Sequence, residues 1–401
     1  MKIALVSPYD FVYPGGVVHH ILALNNQFTQ MGHDVRIIAP ASCQVEDPGC
    51  RFVPIGKARS IPMRGTTIRI AISLRLESRI KEVLAQENFD IIHLHEPFMP
   101  MLCSAVLRFS DTVNVGTFHA ARGKPGYYWG WPISAIMLQR RRRKLHGRIA
   151  VSQTAMNFAS HYVPGDYDII PNGIDLSHFN CNVTPIDEFM DDKTNIVFVG
   201  RLEKRKGLQY LLKAYRQIKR DIPNSRLIIV GPGTRFRHKY ENQVAKDRLD
   251  DVVFIGNVPY EDLPRYYKTA DVFCAPATGQ ESFGIVLLEA MALGKPIVAT
   301  AIDGYANVLT HQREGLLVPP KNDKELARAL TELMTDQAMR REMGDRGLVT
   351  ARSYDWQKVA KRVFDYYTRI LREVPQPSNC PPEYDDIMPG YRDYGRSGAG
   401  S

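Results

Sequence analysis

The segment ATGQESFGIVLLEAMALGKPIVAT, behind the strand-like VFCAP, places two glutamates, Glu281 and Glu289, around the start of a helix. Ser282-Phe283-Gly284 opens that helix, Val286, Leu287, Ala290 and Met291 give it an apolar face, and Gly294 with Lys295-Pro296 ends it. The leading N–H groups, at Gly284, Ile285 and Val286, have no intrahelical partner and make a seat for an anion. Glu281 precedes the seat, and Glu289 is expected about two turns into the helix. Carboxylates directly on a phosphate would repel it. Flanking a diphosphate, they suit hydroxyl donors, one on a sugar and one on a ribose. Taken alone, two such glutamates more often belong to a solvated helix face.

A second constellation is FVGRLEKRKGL, Phe198 to Leu208, where an apolar run meets the next helix. Arg201 lies in the turn and Lys206-Gly207 begins the helix. A guanidinium fork and an ammonium point charge suit a diphosphate, whereas an isolated basic turn is as often merely solvated. The third site is YPGGVVHH, Tyr13 to His20. Its Gly15-Gly16 pair lies between a buried strand and a helix marked by Ile21, Leu24, Phe28 and Met31. Backbone there can come close to a phosphate, but the spacing is not G-x-G-x-x-G.

The elements that carry these residues alternate. KIALV, HDVRIIAP, FDIIHLH, VNVGTFH and GRIAVS are strand-like runs separated by amphipathic stretches. After PNGID and a polar segment, the alternation restarts with NIVFVG, RLIIVG, VVFIG, VFCAP, PIVAT and LLVP. Strands alternating with helices predict parallel sheets covered on both faces. The expectation is an α/β chain of two doubly wound domains facing across a cleft, 1–166 and 171–350. The apolar face of SYDWQKVAKRVFDYYTRIL needs a partner beyond the second sheet, so 353–373 is expected to rejoin the first domain. Beyond Glu373 the Pro-, Gly- and Tyr-rich composition predicts a flexible tail, 374–401.

The chain has 401 residues, a net charge of +9 and six scattered cysteines without zinc-ligand spacing, which predicts reduced thiols in a cytoplasmic protein. No apolar run of about 18 residues predicts a membrane span, and the N-terminus lacks signal-peptide character. Residues 1–166 hold 19 Lys/Arg against 11 Asp/Glu. That surplus suits an anionic lipid or a phosphorylated substrate; no nucleic-acid-binding signature accompanies it, so nucleic acid is not expected as a partner.

GRLEKRKG, PNGID and ESFGIVLLE resemble the marks of retaining glycosyltransferases of family 4, which have the GT-B fold of two Rossmann-like domains. The resemblance covers residues 1 to about 372. Within that family, SPYDFVYPGGVVHH, HLHEPFMP, TFHAA and GQESFGIVLLEAMA look most like phosphatidylinositol mannosyltransferases of bacterial membranes. It implies that Arg201 and Lys206 neutralise the leaving diphosphate. Glu281, with the backbone of Phe283 and Gly284, would hold the transferred sugar, and Ile285 and Val286 would donate N–H to phosphate. Glu289 would take the ribose diol. Gly15 and Gly16 would let the first domain approach the diphosphate, and His119 would reach the sugar from the same domain. Without the resemblance, His119 reads as a satisfied histidine at a strand end.

The activity implied is transfer of a hexose, mannose from GDP-mannose ahead of a UDP-sugar, to a membrane glycolipid acceptor such as phosphatidylinositol. No metal and no cofactor beyond the donor are implied. UDP-glucose or UDP-GlcNAc as donor, and another lipid or a soluble acceptor, stay open, because the expected loop RSIPMRGTTIRI, Arg59 to Ile70, and the region GNVPYED do not match closely enough to choose. A GT-B sugar-nucleotide epimerase or a non-catalytic sugar-nucleotide-binding protein are the distant alternatives. A nicotinamide-dependent dehydrogenase is excluded: GxGxxG is missing, and IIAPAS lacks the ribose-binding acid. Tyr127 to Lys144, aromatics ahead of a basic helix, is expected to meet an anionic membrane. That would place the enzyme peripherally on the inner face of the cell membrane.

Overall fold

The computed structural model describes residues 1–13, 15–43, 52–63, 66–71, 76–121, 135–233 and 236–374. Strands β1 (Lys2–Val6), β2 (Asp34–Ala39), β3 (Phe52–Pro54), β4 (Ala58–Met63), β5 (Thr66–Ala71), β6 (Ile91–His95), β7 (Val113–Phe118), β8 (Gly147–Ala150) and β9 (Asp168–Ile169) occupy the first half. The second half contains β10 (Thr194–Val199), β11 (Ser225–Val230), β12 (Val252–Gly256), β13 (Val272–Ala275), β14 (Ile297–Thr300) and β15 (Gly315–Val318).

Among the described residues these strands, β4 and β5 apart, make two parallel sheets, ordered β3-β2-β1-β6-β7-β8-β9 and β12-β11-β10-β13-β14-β15. Alternation along each leading strand feeds two cores. Ile3 and Leu5 pack on one face of the first sheet, Ala4 and Val6 on the other. Ile196 and Phe198 face one core of the second sheet and Val197 the other. Each strand order reverses beside its first strand, between β1 and β6 and between β10 and β13. Loops leaving the carboxyl ends at such a point diverge and open a crevice. The segments YPGG, HLHEP, GRLEKRKG and GQESFG all leave the sheets there.

The C-terminal helix, Trp356–Glu373, is capped by the Asp355 carboxylate, which accepts from the Gln357 N–H at 3.0 Å. Its buried Trp356, Val359, Ala360, Val363, Tyr366, Tyr367 and Ile370 share a core with Ile3, Leu5, Phe28 and Ile91. The chain's end therefore crosses back onto the first sheet.

Three details differ from the sequence reading. RSIPMRGTTIRI is not a loop: β4 and β5 pair antiparallel from Ala58↔Ala71 to Met63↔Thr66. Met31 is 40% exposed, because the helix Gly16–Gln30 ends before it and the chain turns toward β2. The first sheet extends past residue 166, since β9 adds to β8 with Ile149↔Asp168. No helix of the described residues is long and apolar enough to cross a membrane. Cys43, Cys103, Cys181 and Cys274 are unpaired.

Candidate active site

The turn after β13 delivers Glu281, and the helix Ile285–Ala292 follows it. Gly284 caps the helix at φ 90°, a left-handed conformation that β-carbons disfavour, and a Cβ there would lie 2.6 Å from the Tyr305 ring. Glycine is therefore what lets the chain turn tightly into the helix, whose leading N–H groups, at Ile285 and Val286, have no carbonyl of the preceding turn to meet. The helix is hydrophobic all round and buried. This removes the alternative that Glu289 lies on a solvated helix face. It is the fifth helical residue, 8% exposed, and its Oε2 accepts a hydrogen bond from the Tyr267 hydroxyl at 2.5 Å. Burial pushes its carboxyl up to about 7, opposed by the Tyr267 bond and by the charge of Lys206.

The turn after β10 brings its cations to Glu281. Lys206 Nζ lies 2.9 Å from Glu281 Oε1, and Arg205 reaches the same oxygen at 2.5 Å. Arg205 also holds Glu203 at 2.7 Å, and Arg201 lies 3.7 Å from Glu203. Glu281 and Lys206 are mostly buried, while Arg201 is half exposed. The two loops are tied by backbone as well: the Thr278 N–H donates to the Arg205 carbonyl at 2.7 Å. The structure thus joins Lys206 to Glu281 and places Arg201 one residue outward, on Glu203. Glu203 and Arg205 were not singled out from the sequence, although both lie inside GRLEKRKG.

On the facing sheet, the helix Gly16–Gln30 starts at Gly15, whose backbone is extended, with no side-chain cap. A Cβ added at Gly15 or Gly16 would meet nothing within 4 Å. The protein itself leaves that space open. His119 follows β7; its N–H donates to the Glu96 carboxylate at 2.7 Å and its Nε2 lies 3.0 Å from His95 Nδ1. Burial, with the charges His20 and His93 would carry, holds its imidazole well below the usual range, so it is neutral. His20, one turn into the first helix, approaches His119 with ring centroids 4.9 Å apart. The lobes meet where the Ser152 hydroxyl donates to the Ser282 carbonyl at 2.6 Å, beside the ESFG turn.

The basic helix Ala135–Arg143 turns part of its charge inward. Arg141 bonds Ser104, Arg142 bonds the Tyr162 carbonyl, and Lys144 donates to the carbonyls of Arg108 and Ser110. Arg140 and Arg143 remain exposed. The expected aromatic part, Tyr127 to Trp131, lies outside the described residues, as do the side chains of Ile136 and Met137.

Two Rossmann-like sheets, with cations and a helix N-terminus at the cleft edge of one, make the GT-B arrangement. The profile of the family described as Glycosyl transferases group 1 matches residues 185–349, and that of Glycosyltransferase Family 4 matches 14–178. The chain is 33% identical over 373 residues to a phosphatidyl-myo-inositol mannosyltransferase of Mycolicibacterium smegmatis, covering 92% of this chain and 94% of the relative. A Mycobacterium leprae protein of the same name is 34% identical, covering 92% and 97%. Among solved structures, a sucrose-phosphate synthase from Thermosynechococcus elongatus matches with TM-score 0.71 at 21% identity, over 93% of this chain and all of that one. A glycosyltransferase from Rickettsia africae matches with TM-score 0.75 at 18% identity, over 93% and 99%. The protein belongs to glycosyltransferase family 4.

Proposed function

We propose that the protein is a retaining mannosyltransferase that moves mannose from GDP-mannose to the inositol headgroup of phosphatidylinositol or a closely similar glycolipid. The observation that carries this reading is the near full-length similarity to relatives named for that activity. The Lys206–Glu281 contact at the cleft edge supports it chemically. In this mechanism Arg201 and Lys206 take the charge that develops on the departing diphosphate, and the N–H groups of Ile285 and Val286 add their dipoles. Glu281, fixed by Arg205 and Lys206, accepts hydroxyl donors of the sugar and so orients its anomeric carbon. His119 approaches the sugar from the other lobe. The acceptor hydroxyl attacks on the face the diphosphate leaves, and a leaving phosphate oxygen takes its proton. The anomeric configuration is retained without a covalent intermediate. Activity is expected to survive EDTA, because side-chain cations and N–H dipoles perform the neutralisation; loss reversed by Mg²⁺ would contradict this.

The deciding experiment is a donor screen with phosphatidylinositol vesicles, comparing GDP-mannose, UDP-glucose and UDP-GlcNAc. Transfer from GDP-mannose to lipid is expected. Turnover of a UDP-sugar alone would replace the donor, and hydrolysis without lipid product would replace the acceptor.

Gly16→Ala separates ligand contact from folding. The space around Gly16 is open, so the variant should melt at or slightly above the wild-type temperature, alanine being the better helix former. Its kcat/KM should nevertheless fall at least about tenfold, since the methyl would stand where the diphosphate approaches, a loss of about 1.4 kcal/mol. Unchanged kinetics would remove Gly16 from the donor site.

Membrane association, in this reading, uses the outward Arg140 and Arg143. Each basic residue near an anionic surface is worth about 1 kcal/mol, so changing both to Ser should weaken vesicle binding by roughly thirtyfold. Changing Arg141 and Arg142 should instead lower the melting temperature, because those side chains bond within the protein. Co-sedimentation with anionic and neutral vesicles at low and high salt measures the first effect, and thermal unfolding the second. Binding indifferent to lipid charge would rule out this surface.

A further inference from the structure

Four histidines converge beneath the first lobe's loops, and they are not equally satisfied. His93 is complete: its Nδ1 meets the Tyr367 hydroxyl at 2.5 Å and its Nε2 the Thr117 hydroxyl at 2.6 Å. His20 bonds only through Nδ1, to the Asn172 Oδ1 at 2.9 Å. That oxygen can only accept, so Nδ1 carries the proton and Nε2 presents a bare lone pair. His20 Nε2 and His95 Nε2 are both buried without a hydrogen-bond partner among the described residues. Buried polar atoms are nearly always paired, and two orphans in one cluster demand a reason.

We propose that His20, His95 and His119 form a binding site for one divalent ion of the zinc type. Each ring offers a nitrogen, and the three nitrogens lie within 4.8 Å of one another. Two imidazole nitrogens on one tetrahedral zinc stand about 3.3 Å apart, given Zn–N distances of about 2.0–2.1 Å. His95 Nδ1 and His119 Nε2, 3.0 Å apart, share a hydrogen bond in the metal-free protein, and its proton must move to the far nitrogen of its ring before both can ligate. The three nitrogens stand within 4.8 Å, so ring rotation must draw them closer on binding. Asn172 supplies the outer bond that orients a ligating imidazole and fixes its tautomer. The Glu96 carboxyl accepts from the backbone N–H groups of His119 and Ala120 and so fixes the turn that carries the His119 ring. His119 is the partly exposed member, so the fourth coordination position faces the cleft. All-nitrogen ligation selects zinc, copper, nickel or cobalt and rejects Mg²⁺ and Ca²⁺, which prefer oxygen.

One consequence rests on the transferase reading, whereas the site itself does not. An ion held by His119 removes that ring from the sugar, so zinc should inhibit transfer and EDTA should relieve the inhibition.

The test is binding by tag-free protein stripped of metal, with Co²⁺ followed by its visible absorption and Zn²⁺ by calorimetry. One equivalent of each is expected, Zn²⁺ displacing Co²⁺ and excess Mg²⁺ displacing neither. His20→Gln and His95→Gln should each weaken binding by about a hundredfold or more, and Asn172→Ala by about tenfold, the usual range for an outer partner. His161→Gln and His238→Gln, on exposed residues, should change nothing. If the buried His variants fail to fold, Asn172→Ala decides, since it leaves all three ligands in place. Absence of a cobalt spectrum, or binding that survives these substitutions, would overturn the site. Neither result depends on sugar transfer, so the metal site and the transferase reading fail separately.

Discussion

Lys206→Ala is expected to lower kcat for sugar transfer by about a hundredfold, equivalent to about 3 kcal/mol of transition-state stabilisation. The side chain is largely shielded from solvent and lies 2.9 Å from Glu281. In the proposed mechanism, removing it takes a cation from the leaving diphosphate where water cannot substitute well. Glu281 should nonetheless stay in place, because Arg205 holds the same oxygen at 2.5 Å. The loss therefore reports charge on the leaving group, and KM for the donor should change much less than kcat. Arg201→Ala should behave alike, with Arg201 turning from Glu203 to the diphosphate when donor binds. Glu281→Ala should also damage kcat, with nucleotide affinity nearly preserved, if its partners are the sugar hydroxyls that the proposed mechanism gives it. Arg205→Ala tests the support: loosening Glu281 should cost less than deleting it. Steady-state kinetics at saturating donor, beside calorimetric nucleotide affinities, measure these effects. Lys206→Ala within threefold of wild type would remove it from the leaving-group site.

The fold was legible because apolar runs bounded by Gly and Pro mark parallel strands strongly. NIVFVG, RLIIVG and VFCAP became β10, β11 and β13 with little change. The β4–β5 hairpin escaped notice because Pro62 interrupts its alternation and Arg64-Gly65 lacks the usual Asn-Gly signature. The chemistry of GRLEKRKG was legible in part. Arg201 and Lys206 stand at its ends, but which cation reaches Glu281 depends on how the short turn Lys204–Lys206 winds, and that is tertiary. Glu289 had a readable signal that was passed over. Leu287, Leu288, Ala290, Met291 and Ala292 surround it on every face, the pattern of a helix with no solvated side. The histidine cluster was not readable. HLH puts His93 and His95 on one face of a strand, but their meeting with His20 and His119 needs two further elements folded over it.

Glu289→Gln should make the protein more stable above neutral pH while weakening its hold on the donor. The carboxyl sits at about 7 in the folded chain against an ordinary value near 4.5, and desolvation is the main cause. A raised acid binds more protons folded than unfolded between those two values. Its contribution to stability is therefore greatest below about pH 4.5 and is lost as pH climbs through 7, a change of about 3 kcal/mol. Glutamine keeps an oxygen for the Tyr267 hydroxyl and carries no charge to desolvate. The stability gained by the variant should thus be near zero at pH 4.5–5 and grow to a few kcal/mol at pH 8. Urea unfolding at both pH values measures the difference. Tyr267 and Tyr260 face the same carboxyl, but burial raises both phenols, so they stay neutral across this window. The donor effect has the opposite sign. A ribose diol donates more strongly to a carboxylate than to an amide, so GDP-mannose affinity should fall by roughly tenfold at pH 8. In the wild type that affinity should rise as pH passes 7 and Glu289 ionises, whereas in the variant it should not. Lys206 is not touched by the substitution and still faces the position from the neighbouring turn, so the variant's flat profile isolates Glu289. A variant that loses stability at pH 8, or keeps the wild-type pH dependence of donor binding, would mean that Glu289 is a packing residue and not a ribose ligand.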